Sequence, residues 1–259
     1  MVTRDTPWPD GTPCWVDLGT TDIPAAVSFY SSQFGWAIER GSPEAGGYSS
    51  AMLDGRPAVG IGPIMGPPGT PTAWTTYIAT SDAEATADKI KGAGGQLLTE
   101  VMDVMDLGRM VIAADVTGAA VAIWQAREHT GARIANVPGA FTWCEHMSHD
   151  FEGAKAFYAA VFGYEYGDMS SDGFSYATLL INGHEVGGIG TLPGEMGASH
   201  RASWSVYFGT ADTDKAVEAL TGNGGRVIRP AHDSPYGRVA TVTDDQGAIF
   251  SLISLPPAE

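Results

Sequence analysis

The segment PCWVDLGTTDIPAAVSFYSSQFGW, residues 13–36, returns as FTWCEHMSHDFEGAKAFYAAVFGY, residues 141–164, at a constant offset of 128. Seven of the 24 paired positions are identical: Trp15/Trp143, Asp22/Asp150, Ala26/Ala154, Phe29/Phe157, Tyr30/Tyr158, Phe34/Phe162 and Gly35/Gly163. The offset continues without a gap through Gly55/Gly183, Gly60/Gly188 and Ile61/Ile189. At an offset of 130, Trp74-Thr-Thr-Tyr77 meets Trp204-Ser-Val-Tyr207, Asp82 meets Asp212, and Gly94-Gly95 meets Gly224-Gly225. Gly108-Arg109 then meets Gly237-Arg238, and Asp115-Val-Thr-Gly118-Ala119 meets Asp244-Asp-Gln-Gly247-Ala248. Glycines, aromatics and caps falling in one order twice mark a tandem duplication. The copies are expected over residues 11–127 and 138–254, with a linker over 128–137.

Each copy divides again. Trp15, Trp74, Trp143 and Trp204 each open a short strand-like run that ends at an aspartate: Asp22, Asp82, Asp150 or Asp212. An aspartate there can cap a helix, because its carboxylate accepts from the unpaired N–H groups of the first turn. Ile23, Val27, Tyr30 and Phe34 follow on one helical face, and Gly35 suits a left-handed stop. Residues 150–163 repeat this pattern, while 82–92 and 212–222 read as shorter helices running into glycine-rich turns. Those glycines end helices, whereas phosphate loops open them, so they are read as turns. Three β-like runs follow each helix, and Asp54-Gly55 and Asn182-Gly183 suit tight hairpins. The unit is βαβββ, present four times. The expected class is α+β, a tandem duplication whose four units form two open, curved mixed-sheet domains.

Composition narrows the partners. Lys plus Arg number 14 against 30 Asp plus Glu, a net charge of -16 over 259 residues. A surface this acidic repels phosphate backbones and anionic bilayers, so neither nucleic acid nor membrane is an expected partner. No apolar run reaches the roughly 20 residues of a membrane helix. Residues 1–10 do not read as a signal peptide. Cys14 and Cys144 are too few for a disulfide framework and read as free thiols, and the expected location is cytoplasmic.

The succession of strand, Asp, helix closing on Phe-Tyr-x-x-x-Phe-Gly, Gly-Gly and Asp-x-x-Gly-Ala resembles the vicinal oxygen chelate superfamily. That group includes glyoxalase I, bleomycin-resistance proteins and extradiol dioxygenases. The resemblance covers residues 13–254 and is greatest to two-domain actinobacterial glyoxalase-like proteins, some labelled hydroxylases. It implies paired βαβββ units curving around a cavity. It also implies metal ligands at the start of each unit's first strand and on its last strand. The first set falls on Trp15, Trp74, Trp143 and Trp204. The second falls near Gly60 or Ile61, on Ala122, near Gly188 or Ile189, and on Ser251. None of these is a metal ligand, so neither a metal nor any other cofactor is expected.

Trp15, Trp74, Trp143 and Trp204 are therefore candidate walls of a cavity for a flat ligand, with core packing as the alternative. Asp17 and Glu145 lie two residues after Trp15 and Trp143, which places each on the same strand face as its tryptophan. They are the candidate catalytic carboxylates, because partial desolvation raises a carboxyl pKa into a useful range. The matched Arg109 and Arg238 are candidate ligand anchors or structural partners of carboxylates. Of the six histidines, His129 is in the linker and the others are in copy two, which points any chemistry there. His146 and His149 are poorly spaced to share a metal with Glu145. The segments 62–71 and 191–199 read equally as lids or as linkers. The expected function is binding or sequestration of an aromatic or polycyclic small molecule by a metal-free monomer, the duplication standing in for a dimer. The alternative is a glyoxalase-like lyase or a hydroxylase with Glu145 as base.

Overall fold

The computed structural model describes residues 1–171, 173–192 and 200–254. A short β1 (Val2–Thr3) precedes copy one. The first unit is β2 (Pro13–Thr20), α1 (Ile23–Phe34), β3 (Ala37–Arg40), β4 (Ser49–Leu53) and β5 (Arg56–Pro63). The second is β6 (Ala73–Ala79), α2 (Ala83–Gly92), β7 (Gln96–Leu97), β8 (Met102–Val104), β9 (Gly108–Ala114) and β10 (Ala120–Ala126). After β11 (Ile134–Ala135), which pairs with β1, copy two begins with β12 (Phe141–Ser148) and α3 (Phe151–Phe162). Its first unit ends with β13 (Glu165–Asp168), β14 (Tyr176–Ile181) and β15 (His184–Thr191). The last unit is β16 (Ser203–Thr210), α4 (Thr213–Gly222), β17 (Arg226–Ser234), β18 (Gly237–Thr243) and β19 (Ile249–Ser254). Residues 193–199 of the second candidate lid lie outside the described residues.

Local chemistry explains the elements. Asp22, Asp82, Asp150 and Asp212 each accept from the backbone N–H three residues on, capping α1, α2, α3 and α4. Gly35 and Gly163 take left-handed conformations at φ 72° and 74° and stop α1 and α3. Asp54-Gly55 and Asn182-Gly183 both have positive φ at both residues, the backbone of a two-residue hairpin turn.

Both units of a copy join one sheet. Copy one runs β3-β4-β5-β2-β6-β10-β9-β7, with β8 also on β9; copy two runs β13-β14-β15-β12-β16-β19-β18-β17. The sheets are mixed and open. The antiparallel pair β2–β6 joins units in copy one, and β2–β5 and β6–β10 are parallel. Copy two repeats this with β12–β16, β12–β15 and β16–β19.

The helices lie between the copies. Phe34 of α1 packs at a tilt against Phe208 of β16 with ring centroids 5.0 Å apart, and Tyr30 approaches Phe250 of β19 at 5.8 Å. On the other side α3 packs against α2, and the Tyr158 hydroxyl donates to Asp115 Oδ2 at 2.9 Å. Each copy's first helix thus covers the other copy's second unit. The core is continuous across the duplication. Among the described residues no helix is long and apolar enough to cross a membrane.

Candidate functional site: two matched acid–aromatic clusters

Strand alternation and register build one cluster on each sheet, on the face turned away from the helices. In copy one, Trp15 pairs across from Tyr77, and Asp17 pairs with Thr75 on one side and Gly60 on the other. The Trp15 indole N–H donates to the Tyr48 hydroxyl at 2.9 Å. Tyr48 and Tyr77 both donate to Asp17 Oδ2, at 3.3 and 2.8 Å. Copy two repeats the cluster. Trp143 donates to the Tyr176 hydroxyl at 3.0 Å, Tyr176 to Glu145 Oε2 at 2.8 Å, and Tyr207 to Glu145 Oε1 at 2.5 Å.

Glycine makes room for each phenol. An ideal Cβ on Gly60 would lie 1.8 Å from the Tyr48 hydroxyl oxygen, and one on Gly188 would lie 1.9 Å from that of Tyr176. The tyrosines therefore lie flat across the last strand of the unit, which only glycine permits. Burial pushes Asp17 up to about 6, and it raises Glu145 as well, with the two phenol hydrogen bonds opposing it. Glu145 is held by two neutral donors and Asp17 by the matching two and Thr75, with no cation among these partners.

The copies differ in cover. Trp15 and Tyr77 are 3% and 5% exposed, whereas Trp143 and Tyr207 are half-buried; the acids run the other way, Asp17 half-buried and Glu145 9% exposed. His129 covers Trp15, and Trp124, replaced by Ile253 in copy two, flanks Tyr77 with ring centroids 6.4 Å apart. The His129 ring stands edge-on to Trp15, with centroids 4.5 Å apart and planes at 86°, and its carbonyl accepts from the Trp124 indole at 2.9 Å.

Several expected site residues lie elsewhere. Trp74 pairs with Leu18, and Trp204 with His146, so both point to the helix face. There Trp74 donates to the Tyr30 hydroxyl and Trp204 to that of Tyr158, and both are core residues. The cavity-facing counterparts of Trp15 and Trp143 on these strands are Tyr77 and Tyr207. Arg109 pairs with Glu84 and Asp103 at the surface, and Arg238 with Asp214 and Asp233, so neither anchors a ligand beside Asp17 or Glu145. His146 is fully buried on the helix face with Nε2 2.8 Å from Asp115 Oδ2, while exposed His149 meets the His200 carbonyl. Neither joins Glu145. Sequence reading missed Tyr48, Tyr176, Tyr77, Tyr207 and the placement of His129. The tyrosines did carry a signal, since each recurs at the repeat offset.

A divalent metal does not fit these clusters. Beside Glu145 the ladder places Gly188 and Ser205, and beside Tyr207 it places Ser251; copy one offers Gly60, Thr75 and Ala122. Each face supplies one carboxylate that is already engaged by phenols, and hydroxyls and backbone cannot replace the missing imidazoles and carboxylates. Among the described residues no three His, Cys, Asp or Glu side chains converge.

The model for the glyoxalase/bleomycin resistance protein/dioxygenase superfamily matches residues 14–123 and 140–252. The chain belongs to this superfamily. Among its relatives, a Mycobacterium tuberculosis protein carrying the provisional name glyoxylase CFP32 is 40% identical over 255 residues, covering 96% of this chain and 97% of the relative. The anthracycline biosynthesis protein DnrV of Streptomyces peucetius is 36% identical over 259 residues, covering 95% and 94%. The Mn(II)-bound glyoxalase of Novosphingobium aromaticivorans shares the fold with a TM-score of 0.66 at 15% identity, covering 95% of this chain and 82% of that one. That neighbour holds a metal, and the superfamily's metal chemistry is the point at which the clusters of this chain depart from it.

Proposed function

We propose that the protein binds a planar, hydroxylated aromatic metabolite on Trp143 of copy two, with Glu145 as its polar anchor and without a metal. One observation carries this reading: a partly exposed indole bordering a cleft is hydrogen-bonded through Tyr176 to a buried carboxyl. An indole offers a large stiff surface to a flat ring at small entropic cost. A carboxyl with a raised pKa serves as acceptor when ionised and as donor when protonated, which suits a phenol or quinone oxygen. Relatives named for anthracycline biosynthesis support the class, because anthracyclines are fused, hydroxylated rings.

The raised pKa of buried Glu145 also favours a second reading, a glyoxalase-like lyase in which Glu145 takes a proton from a carbon acid. The name of the mycobacterial relative is consistent with that reading.

The test is titration with 1,8-dihydroxyanthraquinone followed by tryptophan fluorescence. Saturable quenching is expected, weakened in Trp143→Ala by about 1–3 kcal/mol, roughly a five- to 150-fold loss of affinity. Trp74→Ala is the control: it lowers stability by about 3–5 kcal/mol and leaves the affinity of the folded protein unchanged. Elemental analysis is expected to find no stoichiometric metal. Turnover of methylglyoxal with a thiol, abolished in Glu145→Gln while binding persists, would establish the lyase instead. Absence of quenching by any planar aromatic probe would overturn the binding reading.

A further inference from the structure

At the offset of 128, residues around the two clusters correspond one to one. In copy one the linker passes over the cluster. After His129 stands on Trp15, the Ala132 N–H donates to the Cys14 carbonyl and the Arg133 N–H to the Pro57 carbonyl, both at 2.8 Å. The corresponding residues in copy two are Thr142 for Cys14 and Glu185 for Pro57. Both of these line an open cleft of about 350 Å³, together with Trp143, His184, Ile181 and Trp8. Among the described residues, what the linker fills in copy one is thus a cleft in copy two, which Trp143 borders and which does not extend to Glu145, Tyr176 or Tyr207.

From this correspondence, we infer that the linker is a built-in occupant of the copy-one site. The His129 ring stands where a ligand ring would stand, so only the copy-two site takes a ligand. The inference rests on the reading of Trp143 as a ligand-binding residue and sharpens it. It sets the stoichiometry at one ligand per chain. It also describes the ligand by what replaces it: an aromatic ring in contact with the indole, with N–H or O–H donors along one side that reach main-chain carbonyls. Burial pushes the His129 imidazole down to about 4, so at neutral pH the ring is uncharged and acts as an aromatic body. The Trp124 indole, anchored to the His129 carbonyl, holds this segment in place at a ring-to-ring distance of 5.5 Å.

The experiment opens the closed site. His129→Gly leaves a ring-sized space over Trp15. Free imidazole is expected to raise the melting temperature of this variant in a concentration-dependent way and to leave the wild type unaffected. Titration with 1,8-dihydroxyanthraquinone is expected to show one equivalent bound to the wild type and two to His129→Gly. His129→Phe, which refills the space, is expected to return to one. A folded His129→Gly protein that neither responds to imidazole nor takes a second equivalent would overturn the inference, as would a wild type that binds two. If His129→Gly fails to fold, Trp143→Ala decides, because a variant still binding one equivalent at wild-type affinity would place the ligand in copy one. The two readings fail separately. A wild type that binds no probe counts against ligand binding at Trp143, while the imidazole response alone decides whether the linker ring fills a ring-shaped site.

Discussion

Asp17 and Glu145 show how much a single residue depends on its neighbours. Each is an acid placed where two phenols can donate to it, and neither has a cation to keep its charge in the dry cluster. For Asp17, burial raises the folded pKa to about 6, above the unfolded value of 3.8. The folded state therefore holds the proton more tightly, so the group favours folding below about pH 4 and this contribution is lost as pH rises through about 6. Asp17→Asn removes the titration while its amide oxygen still accepts from both tyrosines. Relative to this variant, the wild type is expected to lose up to about 3 kcal/mol of stability between pH 4 and pH 7. Urea unfolding of both proteins across that range measures it. A constant difference would show that the carboxyl is not desolvated.

Among the elements, β5 and β15 are unusual because they position a side chain that is not theirs. Gly60 and Gly188 leave bare backbone over which Tyr48 and Tyr176 lie. Gly188→Ala sets a methyl group 1.9 Å from the Tyr176 hydroxyl oxygen, so the phenol must move and both of its hydrogen bonds break. The expected cost is about 1–3 kcal/mol of stability, as for other overpacked sites. Affinity for the anthraquinone should fall along with the loss of Tyr176 as a bridge, read by the same quenching titration. A variant with wild-type affinity would show that the bridge does not matter to binding. Register has an equally local consequence. The antiparallel match of Trp15 to Tyr77 sends Trp74, three residues before Tyr77, to the helix face.

At the scale of the molecule, each copy completes the other. Tyr30 of α1 donates to Asp244 of copy two, and Tyr158 of α3 donates to Asp115 of copy one. The two arrangements differ in two side-chain partners: His146 stands beside Asp115, where the pseudo-equivalent strand position carries Leu18, and the Thr117 hydroxyl donates to Asp115, where the Gln246 side chain turns to Thr20. Burial opposes the charge on both acids. It leaves Asp244 raised, whereas the hydrogen bond and charge of His146 outweigh it and leave Asp115 lowered. Asp115→Ala takes the carboxylate partner from a buried imidazole and a buried phenol, leaving His146 the Thr117 hydroxyl and Tyr158 the Trp204 indole, and removes the acceptor of the Thr117 and Ala119 N–H groups. Its expected cost is about 3–5 kcal/mol. Asp244→Ala, which deprives no imidazole of its carboxylate, should cost less. Because the helices are shared, tryptophan fluorescence and far-UV circular dichroism should report one coincident transition in each variant. Two separated transitions would mean that the copies fold independently.

Sequence alone determined the duplication, the helix boundaries, the hairpins and the βαβββ unit, because caps, left-handed glycines and periodicity act over a few residues. The unit departs only after α2, where β7 and β8 both pair with β9 in place of one strand. Sequence also placed Trp15 with Asp17 and Trp143 with Glu145, since alternation along one strand needs no partner. Tertiary structure decided what depends on contact between distant segments. Register between β2 and β6 moved Trp74 away from the cluster, and its copy-two counterpart moved Trp204. The close approach of Glu84 and Asp103 took Arg109 to the surface. The path of the linker brought His129 onto Trp15, 114 positions away in the chain, and so made two clusters of like composition unlike in access. Such pairings are set by packing of whole layers, in which a residue's neighbours come from another unit of the chain.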